Sequence, residues 1–548
     1  MTMEQARAFL LMGLVMVSFL LWQAWQEDYV RTKKAPAATT IDGVAVSRPD
    51  MPSAPPATGD TPPAVGSLPT EKSAAETANL IRVRTDVVEV LIDPRGGNIV
   101  RVDLLQYPVS LEKCDTPFRL LDLEPSALFI AQSGLLAGDR GPNHHALLGS
   151  PQSDYVLGVD ADVVEVPLSW QGADGVKVTK TLRFKRNSYL VDVEYNIDNA
   201  SASEWSGRMY GQIQRVRVEV KMGLGAIYTY TGGVISTDEK RYDKVDFDDM
   251  AKKDLDLASK GGWIAMIQHY FVSAWVPEAG TANHFYSKSL SGQRYVLGVL
   301  SPESTIAPGA TKQLHLKSYI GPKDQDRLEK AGKALELTVD YGVLTIIAQP
   351  LFWLLKFIQS IVVNWGWSIV VLTILIKLAF FHLSATSYKS MARMRKVQPR
   401  MVTIRERYAG DKARINQAMM ELYKREKINP MGGCLPILVQ IPVFIALYWV
   451  LLESVELRQA EFIFWFHDLS VYDPYFVLPI LMGVSMFIQQ RLNPAPPDPI
   501  QAKVMMALPF VFTLFFLFFP SGLVLYWLVN NVLSIIQQWV ITKRIVGA

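Results

Sequence analysis

The sequence predicts a polytopic α-helical membrane protein: an N-terminal anchor plus a five-helix core, with a large external antiparallel β-sandwich and an internal helical hairpin. Three observations carry that reading. The chain is 49% hydrophobic and only 20% charged over 548 residues, too apolar for a wholly soluble protein of this size. Residues from about 80 to 320 alternate apolar and polar with period 2, and long apolar runs after residue 363 flank a basic block at 387–427. The net charge of +3 says little, because the charge is unevenly placed.

The first element, "ARAFLLMGLVMVSFLLWQAW" (6–25), is long enough to span a bilayer. No small-residue cleavage pattern follows it, so residues 1–27 are expected to be an uncleaved anchor with Trp22 and Trp25 at the interface. Residues 28–79 are rich in Pro, Ala and Thr and read as a spacer that cannot bury a core. From 80 to 323, strand-like runs such as "DVVEVPLSW" (162–170), "KVTKTLRFK" (177–185) and "YLVDVEYNID" (189–198) are punctuated by "PRGG", "GADG" and "DNAS", the pattern of an antiparallel sandwich. Residues 324–362 turn helical, and 343–362, interrupted by Gln349, Pro350, Lys356 and Gln359, is expected to lie along the outer leaflet.

Residues 363–548 read as the membrane core, with spans at about 363–383, 433–452, 475–490, 504–519 and 521–541. Between the first two, 387–427 carries twelve basic residues against Glu406, Asp411, Glu421 and Glu426, which places it in the cytoplasm. It reads as a hairpin broken at "AGD" (409–411), with a polar surface bearing Arg393, Met394, Arg395, Met419 and Met420 and little apolar stripe to dock. Both termini then lie inside and the β-domain outside, although Arg31, Lys33 and Lys34 just beyond the first span run against the bias. Cys114 and Cys434 fall in segments of different location, so no disulfide framework is expected.

Lys377 stands inside the apolar run 368–383 with no acidic neighbour on its helix. A charge there costs about 2.5–3.5 kcal/mol on the insertion scale. Thr373, four residues earlier, and Ser384 continue its face; Gln440 sits between Pro436 and Pro442; Trp527, Asn531, Ser534 and Gln538 form one stripe, and Ser485 with Gln489 another. Singly these are interhelical glue, and Lys377 could snorkel. Together they point to a wet, polar groove centred on Lys377.

At these residues the chain resembles the YidC family of membrane protein insertases in its Gram-negative form. The resemblance rests on "SKGGWIAMIQHYFVSAWVP" (259–277), "NWGWSIVVLTILIK" (364–377), "MARMRKVQP" (391–399), "NPMGGCLPILVQIPVFIALYWVL" (429–451), "DPYFVLPILMG" (473–483) and "FPSGLVLYW" (519–527). It implies a bacterial inner-membrane protein with a periplasmic β-domain akin to sugar-binding folds. It also implies five spans forming a hydrophilic groove open to cytoplasm and lipid. The groove's basic residue maps onto Lys377, where arginine is commoner, and its partners onto Thr373, Gln440 and the pair Tyr526–Trp527. Implied partners are nascent inner-membrane proteins, the lipid bilayer, the Sec translocon (SecYEG, SecDF), the ribosome and the signal-recognition-particle receptor, with no sequence-specific nucleic acid and no cofactor or metal. The tail "KRIVGA" lacks the basic extension some relatives use to hold ribosomes.

Three other readings compete. A transporter with a cationic intramembrane site predicts duplicated halves, which the spans lack. A sugar-active enzyme needs a catalytic set, but His144 and His145, adjacent on a strand, would face opposite ways, and His269 and His284 have no evident carboxylate partner. An intramembrane protease could use the serine of "FPSGL", but no span centre offers a histidine base. No catalytic residue is assigned.

Overall fold

The computed structural model describes residues 80–218, 229–426, 435–493 and 499–546. The expected anchor (1–27), the linker (28–79) and Cys434 lie outside the described residues; Cys114 is exposed and unbridged. The chain divides at Val339/Asp340 into two compact units.

The first unit is a β-sandwich of two sheets, of eleven and eight strands among the described residues. The smaller sheet runs Asp243–Val245, Gly232–Ser236, Trp263–Gln268, Phe271–Pro277, Thr311–Pro322, Leu190–Asn199, Val176–Lys185, Val163–Gln171. In the larger sheet Trp205–Val216 lies between Phe129–Leu136 and Arg294–Leu300. Pairing is antiparallel except where Asp154–Val156 runs parallel to Ile81–Arg84. The period-2 pattern does what it predicts: Val166, Leu182, Val193 and Leu316 stand opposite one another across four strands and are all buried. Each such side chain contributes about 1.5–3 kcal/mol relative to exposure.

Lys180 occupies the core-facing phase of its strand and is buried. Its ammonium donates to the carbonyls of Gly96 (2.7 Å), Gly97 (2.9 Å) and Ser133 (3.4 Å) on the facing sheet, and lies 5.5 Å from the Tyr195 ring centroid. Gly97 is needed there: it has φ +59°, and a Cβ would stand 2.5 Å from the Leu168 side chain. Next to this clamp the structure corrects the reading of the histidine pair. His144 and His145 sit in a turn rather than on a strand, and their rings pack with centroids 3.9 Å apart. His144 is buried with Nδ1 2.5 Å from the Tyr210 hydroxyl, and burial first, then its charged neighbours, push it down to about 3. His284 is corrected too: its Nε2 lies 3.0 Å from Asp256 Oδ1 across paired strands, a partner that sequence separation concealed.

The second unit is helical: α1 (Thr345–Val362), α2 (Trp365–Ala379), α3 (Phe381–Arg407), α4 (Lys412–Arg425), α5 (Leu435–Glu453), α6 (Val477–Leu492), α7 (Pro499–Phe516) and α8 (Ser521–Val546). Asn364 caps α2 by accepting from Trp367 N (3.0 Å), and Asp411 caps α4 by accepting from Arg414 N (3.0 Å). α8 packs on α2, α3 and α6; α1 packs on α2 and α5; α6 packs on α7. Outward faces are apolar: Phe510, Val511, Leu514 and Phe515 on α7 and Ile536 and Trp539 on α8 are exposed, as a lipid-facing surface requires.

Two expectations change, and a third gains a further observation. The span placed at 363–383 is not continuous: α2 stops at Ala379 and α3 departs at 68°. Phe380 takes φ −92°, ψ 10°, outside the helical well, and no Pro or Gly marks it, so the apolar run concealed the break. Ser384 is therefore not on the Lys377 helix. The segment read as interfacial is, over 342–362, long and apolar enough to cross a membrane; α1 buries Ala348, Phe352, Leu355 and Ile358 and exposes Ile346, Trp353, Phe357 and Ile361. The hairpin, expected to lack an apolar stripe, has its own core: Val397 and Met401 of α3 close on Met419, Leu422 and Tyr423 of α4. Spacings of three and four residues along both helices make that seam.

The Lys180 clamp gives a pH prediction. Burial lowers its ammonium to about 7 from an ordinary 10.5. Between those values the unfolded chain holds a proton that the folded chain has released, so stability rises with pH through that window. Thermal unfolding of the intact protein in detergent should show a midpoint that rises from pH 7 to 9, and Lys180→Met should flatten that rise. Parallel profiles would mean that the three carbonyls fully offset burial.

Candidate functional site

The polar residues of the helical unit converge on α8. Lys377, in the last turn of α2, is 8% exposed, and its ammonium donates to Ser534 Oγ at 2.7 Å. Ser534 in turn donates to Asn530 O (2.7 Å) on its own helix, and Tyr388 of α3 is buried against α8, clustered with Ile541. Among the described residues Lys377 forms no ion pair, and Ser534 is its one hydrogen-bond acceptor. An ammonium has three donors, so two are left for water or for a guest.

The rest of the stripe divides by role. Asn531 Nδ2 donates to Ser485 Oγ (3.1 Å) on α6, and Gln538 Nε2 to Leu492 O (3.1 Å) and Asn493 Oδ1 (3.0 Å). Asn531, Ser485 and Gln538 are buried, so Asn531 and Gln538 pin α8 to α6. Thr373 is buried and donates back to Ile369 O (2.6 Å), satisfied within α2. Gln440 on α5 is half-buried, and its side-chain amide makes no hydrogen bond to a described residue. Tyr526 is buried with its ring 6.0 Å from Phe444. Trp527 is the vertex of an aromatic cluster, 4.6 Å from Phe444 on α5 and 4.8 and 6.3 Å from Phe516 and Phe512 on α7. The structure thus brings Lys377 and Ser534 together, turns Asn531 towards α6, and makes Tyr526–Trp527 an aromatic junction. Tyr388 was not singled out from sequence, because the break at Phe380 hides that it returns to α8.

In the hairpin, Arg393 and Arg395 are exposed, Met394 and Met420 are half-buried against the apolar seam, and Met419 is within it. Arg400 pairs with Glu426 at 2.6 Å, tying α3 to the end of α4.

The β-unit holds a cavity of about 1210 Å³, lined by Glu165, Arg183, Asp192, Trp263, His315 and neighbours. Three of its basic residues are paired: Arg183 with Glu165 and Glu194, Lys185 with Asp192, and Arg241 with Glu336.

Comparison with known proteins fits this architecture. Residues 80–354 match the model of the YidC periplasmic domain, and 357–548 that of the 60Kd inner membrane protein. A curated membrane protein insertase YidC from Methylococcus capsulatus is 52% identical over 96% of this chain and 95% of its own length. The chain belongs to the YidC family. A second member, the membrane protein insertase YidC of Nitrosococcus oceani, is 50% identical over 99% of both chains. A solved YidC insertase with its first transmembrane domain resolved aligns over 84% of this chain and 92% of its own, at 18% identity and a TM-score of 0.36. Family membership makes this an inner-membrane protein with apolar helices and a large β-sandwich.

The Lys377–Ser534 contact should be measurable. Ser534→Ala removes the described acceptor and should cost about 1.5–3 kcal/mol, the usual worth of a hydrogen bond to a charged group. A double-mutant cycle with Lys377→Met, read by thermal unfolding, should return most of that loss. An additive cycle would mean that solvent already satisfies the ammonium.

Proposed function

We propose that this chain is a membrane protein insertase and chaperone that passes polar segments of inner-membrane proteins across the bilayer through a hydrated groove around Lys377. The observation that carries the reading is a cation buried among apolar helices with one described protein acceptor. Lipid cannot satisfy its remaining donors, so water or a client must. Between charges about 4 Å apart the attraction is roughly 4 kcal/mol at an effective dielectric of 20, comparable with the cost of bringing one carboxylate into the membrane. Short helices assist: 15 residues in α2 and 16 in α6 rise about 22 and 24 Å against a hydrocarbon core of about 30 Å, which favours local thinning.

In this reading the β-domain (80–323) is periplasmic, both termini are cytoplasmic, the groove is closed outside, and Thr373, Gln440, Tyr526, Trp527, Asn531 and Ser534 shape it. The hairpin (387–427) receives clients or the factors that deliver them: the ribosome, the signal-recognition-particle receptor and the Sec translocon (SecYEG, SecDF). The support is the excess of exposed arginines at its surface. The chain performs this work without catalysis. Purified protein in liposomes, given a small two-span client, tests the whole proposal, because neither a transporter nor an enzyme would insert it.

Lys377 should matter in proportion to client charge. Lys377→Arg should retain function, Lys377→Ala should lose clients with acidic external segments first, and Lys377→Glu should be worst. Insertion of client pairs differing only in external carboxylates is the measurement; equal slowing of both members would put hydration in place of charge attraction. The β-domain should be dispensable for basic insertion. Complementation by a chain lacking about 80–310 but retaining the first anchor tests that, and loss of growth from a stably expressed protein would refute it.

A further inference from the structure

The loop between α5 and α6, residues 454–476, gathers the N-terminal ends of three helices. Asp473 is 1% exposed, and both carboxylate oxygens are used: Oδ1 accepts from Trp465 Nε1 (3.1 Å) and Tyr475 N (3.0 Å), and Oδ2 from Leu478 N (2.8 Å) in the first turn of α6. No Lys, Arg or His among the described residues pairs with it; N–H donors and the positive end of α6 hold the charge. The carboxylate's bonds to Tyr475 N and Leu478 N flank Phe476, whose N–H donates to the Asp473 carbonyl (3.1 Å) and whose φ is +56°, a conformation that an L side chain seldom takes unaided.

Two further helices start from the same loop. The first amides of α8 donate into it, Ser521 N to Val471 O (2.7 Å) and Gly522 N to Leu469 O (3.0 Å), and Ser521 Oγ donates to Asp468 O (3.1 Å). The Asn364 side chain, which caps α2, donates to Glu461 O (3.2 Å) and Phe462 O (3.1 Å). Gly366 lets Phe462 lie flush on α2, since a Cβ there would stand 2.1 Å from its ring. α2, α6 and α8 are the helices that carry Lys377, Ser485, Asn531 and Ser534. Asn364 and Lys377 are thirteen residues apart, about 20 Å along α2.

We infer that Asp473 is a positioning residue for the groove: by locking loop 454–476 onto the starts of α2, α6 and α8, it closes the outer end of the wet compartment around Lys377 and keeps ions from crossing. The inference rests on the groove reading for what lies beneath the seal. A buried carboxylate suits this task because it accepts several N–H groups at once, which an amide of the same size cannot do without turning a donor towards a donor.

The test is passive proton leak through the purified full-length protein in liposomes holding a pH-sensitive dye, with no client present. Asp473→Asn should raise the leak at least fivefold while the thermal midpoint stays within a few degrees of the parent, a combination that a purely structural role would not give. If Asp473→Asn does not fold, Trp465→Phe and Ser521→Ala each remove one bond of the clasp, and either should raise the leak about twofold or more. Unchanged leak in the folded variants overturns the proposal whatever insertion does. Adding Lys377→Met to the leaky variant separates the two readings. A leak that falls places the path through the groove, whereas a leak that persists keeps the seal and counts against the groove.

Discussion

A single hydroxyl facing an ammonium organises the helical unit. Lys377 cannot remain charged among apolar side chains without hydrogen-bond acceptors, and the protein supplies one described acceptor, Ser534, from a helix more than 150 residues away in sequence. That acceptor fixes the rotation of α8 about its axis. With Ser534 turned to α2, Asn531 and Gln538 turn to α6, and Tyr526 and Trp527 turn to the aromatic residues of α5 and α7. One contact therefore decides which faces of α8 are polar seams and which meet lipid.

The two units solve the problem of buried charge in different ways. In the β-sandwich, Lys180 is surrounded by three backbone carbonyls and a tyrosine ring, a fully satisfied and static arrangement. In the membrane unit, Lys377 is left with donors to spare. Satisfied buried charges rigidify a fold, whereas unsatisfied ones hold water and invite a ligand. The contrast separates a lysine that staples two sheets from one with donors left over.

Much of this was legible in the sequence, for identifiable reasons. Period-2 alternation forces one face inward, so the sandwich and its turns could be read directly, and Lys180 falls on the buried phase of "KVTKTLRFK" once the phase is followed. Helix faces repeat every three to four residues, so the Asn531–Ser534–Gln538 stripe was visible as a stripe. Its partners were not, because sequence does not say which neighbour a face meets. The bend at Phe380 was hidden because apolar composition runs through it without a breaker. The hairpin core was missed because Met419 was read as surface in a charged segment, whereas long basic side chains on the other faces leave the seam of Val397, Met401, Met419, Leu422 and Tyr423 free to close. The His284–Asp256 pair needed strand register, which no local pattern encodes.

The break at Phe380 turns the hairpin into a lever. α3 continues for 27 residues beyond it, about 40 Å of stiff rod. A rotation of only 5° at one backbone joint would carry its far end through about 3.5 Å, a distance comparable with the gap between packed side chains. Lys377 lies three residues before that joint, and Tyr388, on the first turns of the rod, packs on α8 beside Ile541. Torque applied to the hairpin would therefore reach the ammonium through a short arm, while the long arm lets a weak push do mechanical work. Gearing of this kind would let a small displacement at the hairpin tip loosen or tighten the contact between Lys377 and Ser534 without any helix having to slide.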